Sequence, residues 1–130
     1  MDSSLLAFHH VAIIAGDYQR SKHFYINALG FSVLAENYRE DRGSYKLDLI
    51  GAGNMRLEIF SFPDSPPRVS RPEACGLRYL AFRVANLEKE VARLKELGVS
   101  VEPTRIDEYT GKRFAFFADP DGLPLELYEE

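Results

Sequence analysis

The sequence contains one cysteine, Cys75, and no tryptophan. A single thiol closes no internal disulfide, so a hydrophobic core must hold the fold, and a reducing, cytoplasmic setting is predicted. Long apolar runs are missing too. Stretches such as Val11–Ala15 fall far short of the roughly 20 residues a membrane-spanning helix needs. The opening residues MDSSLLAFHH lack a basic segment and a long apolar core, and no signal peptide is expected. Lysines and arginines form no stripe, the net charge is -4, and no basic amphipathic helix is legible. Nucleic acid and membrane surfaces are thereby disfavoured as partners, which leaves a small molecule. What is present is ordinary globular composition, 45% hydrophobic and 28% charged, over 130 residues, enough for one core.

Residues 8–15 are apolar and β-branched and read as a buried strand. Gly16 and Asp17 interrupt it, and Asp17 is a good N-cap for a helix over 18–29 that Gly30 ends. Strands are expected at 31–38, 45–50 and 55–62, with a polar turn at 39–44 and a second at Gly51–Asn54. The segment 63–76 holds four of the seven prolines and reads as a linker or long loop. The pattern then restarts. A strand over 77–84 leads to an N-cap at Asn86, a helix over 87–97 closed by Gly98, and strands at 99–104, 112–118 and 123–129. The turn Asp119-Pro-Asp-Gly122 joins the last two and needs no ligand.

The two halves superpose as sequence. His10 precedes capping Asp17 by seven positions, and Tyr79 precedes capping Asn86 by seven. The separation from His10 to Glu58 is 48 residues and from Tyr79 to Glu126 is 47. A βαβββ unit occurring twice, in an α+β arrangement, is the reading this repeat supports. One domain over 1–130 is expected, with module 1 at about 5–63, a linker at about 64–76 and module 2 at about 77–130.

Strand residues two apart share a face. His10 therefore shares a face with Ala12 and Ile14, Glu58 with Arg56 and Phe60, and Arg83 with Tyr79. Glu126 lies between Leu125 and Leu127, which point away from it. Each half thus sets a carboxylate amid apolar strand, which is costly unless it is paired, protonated or bound to a metal.

His-Val-Ala-Ile-Ile-Ala-Gly-Asp, Leu-Gly-Phe, Arg-Leu-Glu-Ile-Phe and Asp-Pro-Asp-Gly-Leu-Pro-Leu-Glu-Leu resemble the vicinal oxygen chelate superfamily over nearly the whole chain. That group includes glyoxalase I, fosfomycin-resistance enzymes, extradiol dioxygenases and bleomycin-binding proteins, and its small glyoxalase-like members are the nearest in form. The resemblance implies tandem βαβββ modules forming a half-open barrel around a central cleft. It implies one divalent metal ion (Zn, Ni, Mn, Co or Fe) held by His10, Glu58 and Glu126, with Glu126 also serving as catalytic base. The fourth ligand position falls on Tyr79, a departure from the His or Glu usual there. A phenol is a poor ligand for most divalent ions; Tyr79 ligates a hard ion, hydrogen-bonds a metal-bound water or substrate, or fills space.

The function so implied is a metal-dependent, glyoxalase-like lyase or isomerase, akin to lactoylglutathione lyase, acting on a small oxygenated substrate. Its rivals are a metal-free binding or resistance protein of the bleomycin type and a metal-dependent dioxygenase. The last ranks lower because Tyr79 removes the second histidine such iron sites use. Arg56 and Arg83 are candidates to meet an anionic substrate group, while Arg105 and the remaining arginines read as surface charge. Tyr38, Phe60, Phe62, Phe117 and Tyr128 are either an aromatic wall or core. His9 is expected to face away from the cleft, into packing or a dimer contact, and Cys75 to be half-buried. A homodimer is expected, since an open apolar sheet tends to be covered by a partner.

Overall fold

In the computed structural model, which describes residues 3–130, the chain forms two compact units that meet in sequence at Pro66 and Pro67. The first begins with strand β1 (Val11–Ala15), shorter than expected. Its parallel partner β4 (Arg56–Ser61) begins only after the turn at 51–55, so Val11 pairs with Leu57 and residues 8–10 have no ladder to join. Asp17 caps helix α1 (Tyr18–His23) as expected, its carboxylate accepting from the Arg20 N–H at 3.1 Å. The expected single helix instead passes into a wider π-helical turn, Phe24–Ala28, which buries Tyr25 and Ala28. Gly30 ends it with φ of 80°, the left-handed conformation that glycine takes without a Cβ penalty.

Strands β2 (Ser32–Arg39) and β3 (Ser44–Ile50) complete an antiparallel run, giving the sheet order β1-β4-β3-β2. One face of this sheet is core. Ile13, Ala15, Leu47, Leu49, Leu57 and Ile59 are buried there, with Tyr18, Tyr25 and Phe31. The alternate residues Ala12, Ile14, Lys46, Asp48, Arg56, Glu58 and Phe60 occupy the other face, where Ile14 is exposed.

The second unit repeats the plan. Strand β5 (Leu80–Val84) leads to α2 (Leu87–Glu96), whose cap Asn86 accepts from the Lys89 N–H at 3.0 Å. Then come β6 (Arg105–Ile106), β7 (Arg113–Ala118) and β8 (Pro124–Glu129), in the order β5-β8-β7-β6. Again the first and last strands of the unit are parallel. The strand expected at 99–104 does not form. The Glu102 N–H still reaches the Phe116 carbonyl at 2.8 Å, but Pro103 has no N–H, and regular pairing resumes only where Arg105 faces Phe114. Leu87, Leu94, Ala115, Phe117, Leu125 and Leu127 form the core, which settles Phe117 as packing. Asp119 is buried and its carboxylate accepts from the N–H groups of Asp121 and Leu123, so the turn is satisfied internally. Cys75 is exposed, not half-buried: the segment 63–79 has no strand or helix to cover it. No helix among the described residues is long and apolar enough to cross a membrane.

Candidate functional site

The duplication is written into the register. In the first unit Ala12 stands opposite Glu58, and in the second Ala81 stands opposite Glu126. His10 and Tyr79 each lie two residues before that alanine, immediately outside the regular strand.

In the first unit His10 Nε2 lies 3.3 Å from Glu58 Oε2. A ring nitrogen and a carboxylate oxygen this close repel unless something positive lies between them, either a proton on Nε2 or a cation. The spacing suits an ion: two bonds of about 2.1 Å meeting at roughly 100° span about 3.2 Å. The donor set of one imidazole and one carboxylate suits a divalent transition ion. The other ring nitrogen is engaged as well, with His10 Nδ1 2.8 Å from His9 Nδ1. This corrects the expectation that His9 faces away. Alternation holds only within a strand, and residues 9 and 10 precede β1.

Two partners of Glu58 were not foreseen. Asp48 is its cross-strand neighbour on β3, and Lys46 Nζ lies 3.1 Å from Asp48 Oδ1 and 3.7 Å from Glu58 Oε1. Facing carboxylates disfavour one another, and the Lys46 ammonium offsets that repulsion. Only the β3–β4 register reveals this, since Asp48 and Glu58 are unremarkable as separate residues. Arg56 is half-buried one alternation from Glu58, opposite Ile50. Phe60 and Phe62 stack on each other under the Arg39 guanidinium, and Tyr38 is exposed.

In the second unit Glu126 is 7% exposed, with Ala81 and Phe116 as its strand partners. Among the described residues no hydrogen-bond donor reaches its carboxylate. Burial raises its pKa above the ordinary carboxylate value; the nearby Asp107 charge adds to the rise and Arg105 counters it. Asp107 itself is held low by the Tyr109 N–H and the Tyr128 hydroxyl, and so stays ionised. Tyr79 sets its ring edge-on against Phe116, 5.0 Å between centroids. Tyr79, Glu126, Phe116 and Tyr128 line a cleft of about 760 Å³ in this unit. Arg105 lines it as well, lying over the Phe114 and Phe116 rings at 5.1 and 5.4 Å. Arg83 is exposed on β5, opposite Tyr128, and does not line the cleft. The structure thus brings His10 to Glu58 and Tyr79 to the cleft of Glu126. Among the described residues no group of three or more His, Cys, Asp or Glu side chains is placed so that it could hold a metal ion.

The sequence profile of the Glyoxalase/Bleomycin resistance protein/Dioxygenase superfamily matches residues 7–127, and the chain belongs to that superfamily. It is 60% identical to the uncharacterized protein YwkD of Bacillus subtilis over 97% of this chain and 98% of that protein. To the uncharacterized protein YaeR of Escherichia coli it is 57% identical, covering 94% and 95%. The crystal structure of a glyoxalase family protein from Enterococcus faecalis matches with a TM-score of 0.89 at 53% identity, covering 95% and 97%. Farther relatives differ in what they do. They include a 2-epi-5-epi-valiolone epimerase of Actinomyces, 28% identical over 94% of this chain and 78% of that one. The antibiotic binding protein TnmS3 of Streptomyces is 27% identical, with a TM-score of 0.77 and 98% of both chains covered. The fosfomycin resistance protein FosX of Listeria monocytogenes, solved with Mn(II) and a dihydroxypropylphosphonic acid, shares the fold at 18% identity and a TM-score of 0.73, covering 95% and 90%.

Proposed function

We propose that the chain is a metal-dependent, glyoxalase-like lyase or isomerase, in which His10, Glu58 and Glu126 hold one divalent ion and Glu126 moves the proton. The observation that carries this reading is the His10–Glu58 pair, an imidazole nitrogen and a carboxylate oxygen 3.3 Å apart, a separation that two ligands of one ion have. It is supported by the matched placement of Glu126, which lines a cleft with no hydrogen-bond donor on its carboxylate among the described residues. The epimerase among the relatives is an isomerase by name, and FosX carries a divalent ion.

A bound ion would act as a Lewis acid on a substrate oxygen, easing removal of a neighbouring proton. The chain's own groups do the rest. Glu126, its carboxylate lining the cleft, accepts that proton and returns it at another atom. Tyr79 offers a phenolic O–H to a substrate oxygen in the same cleft, and Phe116 fixes its ring. His9 orients the His10 imidazole through the Nδ1 contact. Exposed Ile14, Val33 and Leu34 on the two edge strands of the first sheet support a homodimer, and the unpaired exposed Cys75 supports a cytoplasmic location.

One observation favours a metal-free binding protein instead: Lys46 and His10 together can balance Glu58 without an ion. Elemental analysis of protein purified without chelators separates the two. The enzyme reading expects about one ion per chain, lost in His10→Ala. Metal-free wild-type protein that also fails to bind added Zn, Ni, Mn, Co or Fe would hand the site to the binding reading.

A further inference from the structure

The cleft of the second unit is lined by Arg68, Arg71, Arg78 and Arg105, and these four are not equivalent. Arg68 donates to the carbonyls of Leu77 and Arg78 and to Ser70, which ties down the 68–78 segment. Arg78 is spent on Glu73, at 2.6 Å, and the Arg71 charge acts on the same Glu73 carboxylate. Arg105 has no carboxylate within ion-pair distance among the described residues, although Asp107 and Glu126 line the same cleft. Asp107 is already committed to Tyr128 and to the Tyr109 N–H. Instead the Arg105 guanidinium lies over Phe114 and Phe116, a contact that restrains the group while leaving its in-plane N–H donors unspent. Phe116 is also the cross-strand partner of Glu126 and the ring on which Tyr79 rests. A restrained cation with unused donors therefore shares one aromatic platform with the proposed base.

We propose that this cleft binds a small molecule through its oxyanion group, a carboxylate or phosphoryl oxygen pair, and that Arg105 holds that group. Planar N–H donors match such oxygens two at a time, which a lysine in this place would not do. As a statement about substrate the proposal rests on the enzymatic reading above, because it puts the reacting carbon of an anionic substrate beside Glu126. As a statement about binding it stands alone.

The test is a titration of chelator-treated, isotope-labelled protein followed by amide NMR, with pyruvate as a carboxylate, methylphosphonate as a phosphoryl probe, and acetamide as a neutral control. Saturable shifts at Tyr79, Arg105 and Glu126 are expected with at least one anion, and none with acetamide. The anion that saturates at the lower concentration identifies which oxyanion the cleft prefers. Arg105→Gln should weaken binding about tenfold or more. Arg105→Lys should keep part of it, and Arg83→Gln should leave it unchanged. An Arg105→Gln protein with a native spectrum and unaltered affinity would overturn the proposal. So would equal binding of acetamide, an equal loss in Arg83→Gln, or no saturation by either anion. Because the ion is stripped beforehand, a negative result here leaves the metal analysis standing, and a negative metal analysis leaves this one standing.

Discussion

Replacing the buried carboxylate by its amide, Glu126→Gln, should make the ion-free protein more stable at neutral pH. The two side chains are nearly equal in volume, so Leu125 and Leu127 keep their packing while the charge is removed. Glu126 is 7% exposed and has no donor to its oxygens among the described residues. Its oxygens open onto the cleft and keep part of their hydration, and the Arg105 charge offsets part of what is lost, so the penalty on the charge is modest. A gain of at most about 1 kcal/mol follows, or up to about 3–5 °C in Tm for a chain of this length. The sign with pH is fixed by burial and the Asp107 charge, which raise the Glu126 pKa in the folded state. The folded protein thus keeps a proton that the unfolded chain has lost. Wild-type stability therefore falls as pH climbs from the ordinary carboxylate value through the raised one, and remains lower above it. Glutamine does not titrate, so the gap between the two proteins should be small near pH 4 and open toward pH 7. Thermal melts in chelator across that range measure it. A gap that fails to widen with rising pH, or a variant less stable at pH 7, would refute the account of Glu126 as a poorly compensated buried charge. Added ion should reverse the order. At a hundred times its Kd it stabilises wild type by about 2.7 kcal/mol, and the variant, with an amide in place of a carboxylate ligand, by less.

Two further outcomes are expected besides those already given for His10 and Arg105. His9→Ala removes the partner of His10 Nδ1 and should weaken metal binding about tenfold or more in a competition titration against a chromophoric chelator, with unchanged Tm in chelator. In Gly51→Ala a new Cβ would come within 2.9 Å of the Phe31 ring and 3.1 Å of the Met55 methyl, so crowding should cost about 1–3 kcal/mol in denaturant unfolding.

Much of the architecture was legible because its signals are local. Asp17 and Asn86 announce the two helices by capping chemistry alone, Gly30 and Gly98 announce their ends, and the matched spacings expose the duplication. Errors arose where the deciding contact crosses between strands. Pro103 displaced the expected strand because a missing N–H matters only once a partner is present. Arg105, read as surface charge, in fact lies over two rings of β7. His9 was misassigned because alternation was extended two residues past the point where the ladder begins. Lys46 and Asp48 carry no motif, and only register brings them to Glu58. The identities of His10, Glu58, Tyr79 and Glu126 needed no such information, since the repeat itself singles them out.

The alanine facing each glutamate has a consequence for how such a chain can change. Ala12 and Ala81 present only a methyl group beside the acid, so the slot two residues upstream is not shaped by its neighbour and tolerates side chains of different size and character. One copy holds an imidazole in that slot and the other a phenol, on scaffolds with the same strand order. New chemistry can therefore be introduced there by a single substitution, with the hydrogen-bonded ladder beneath it left intact.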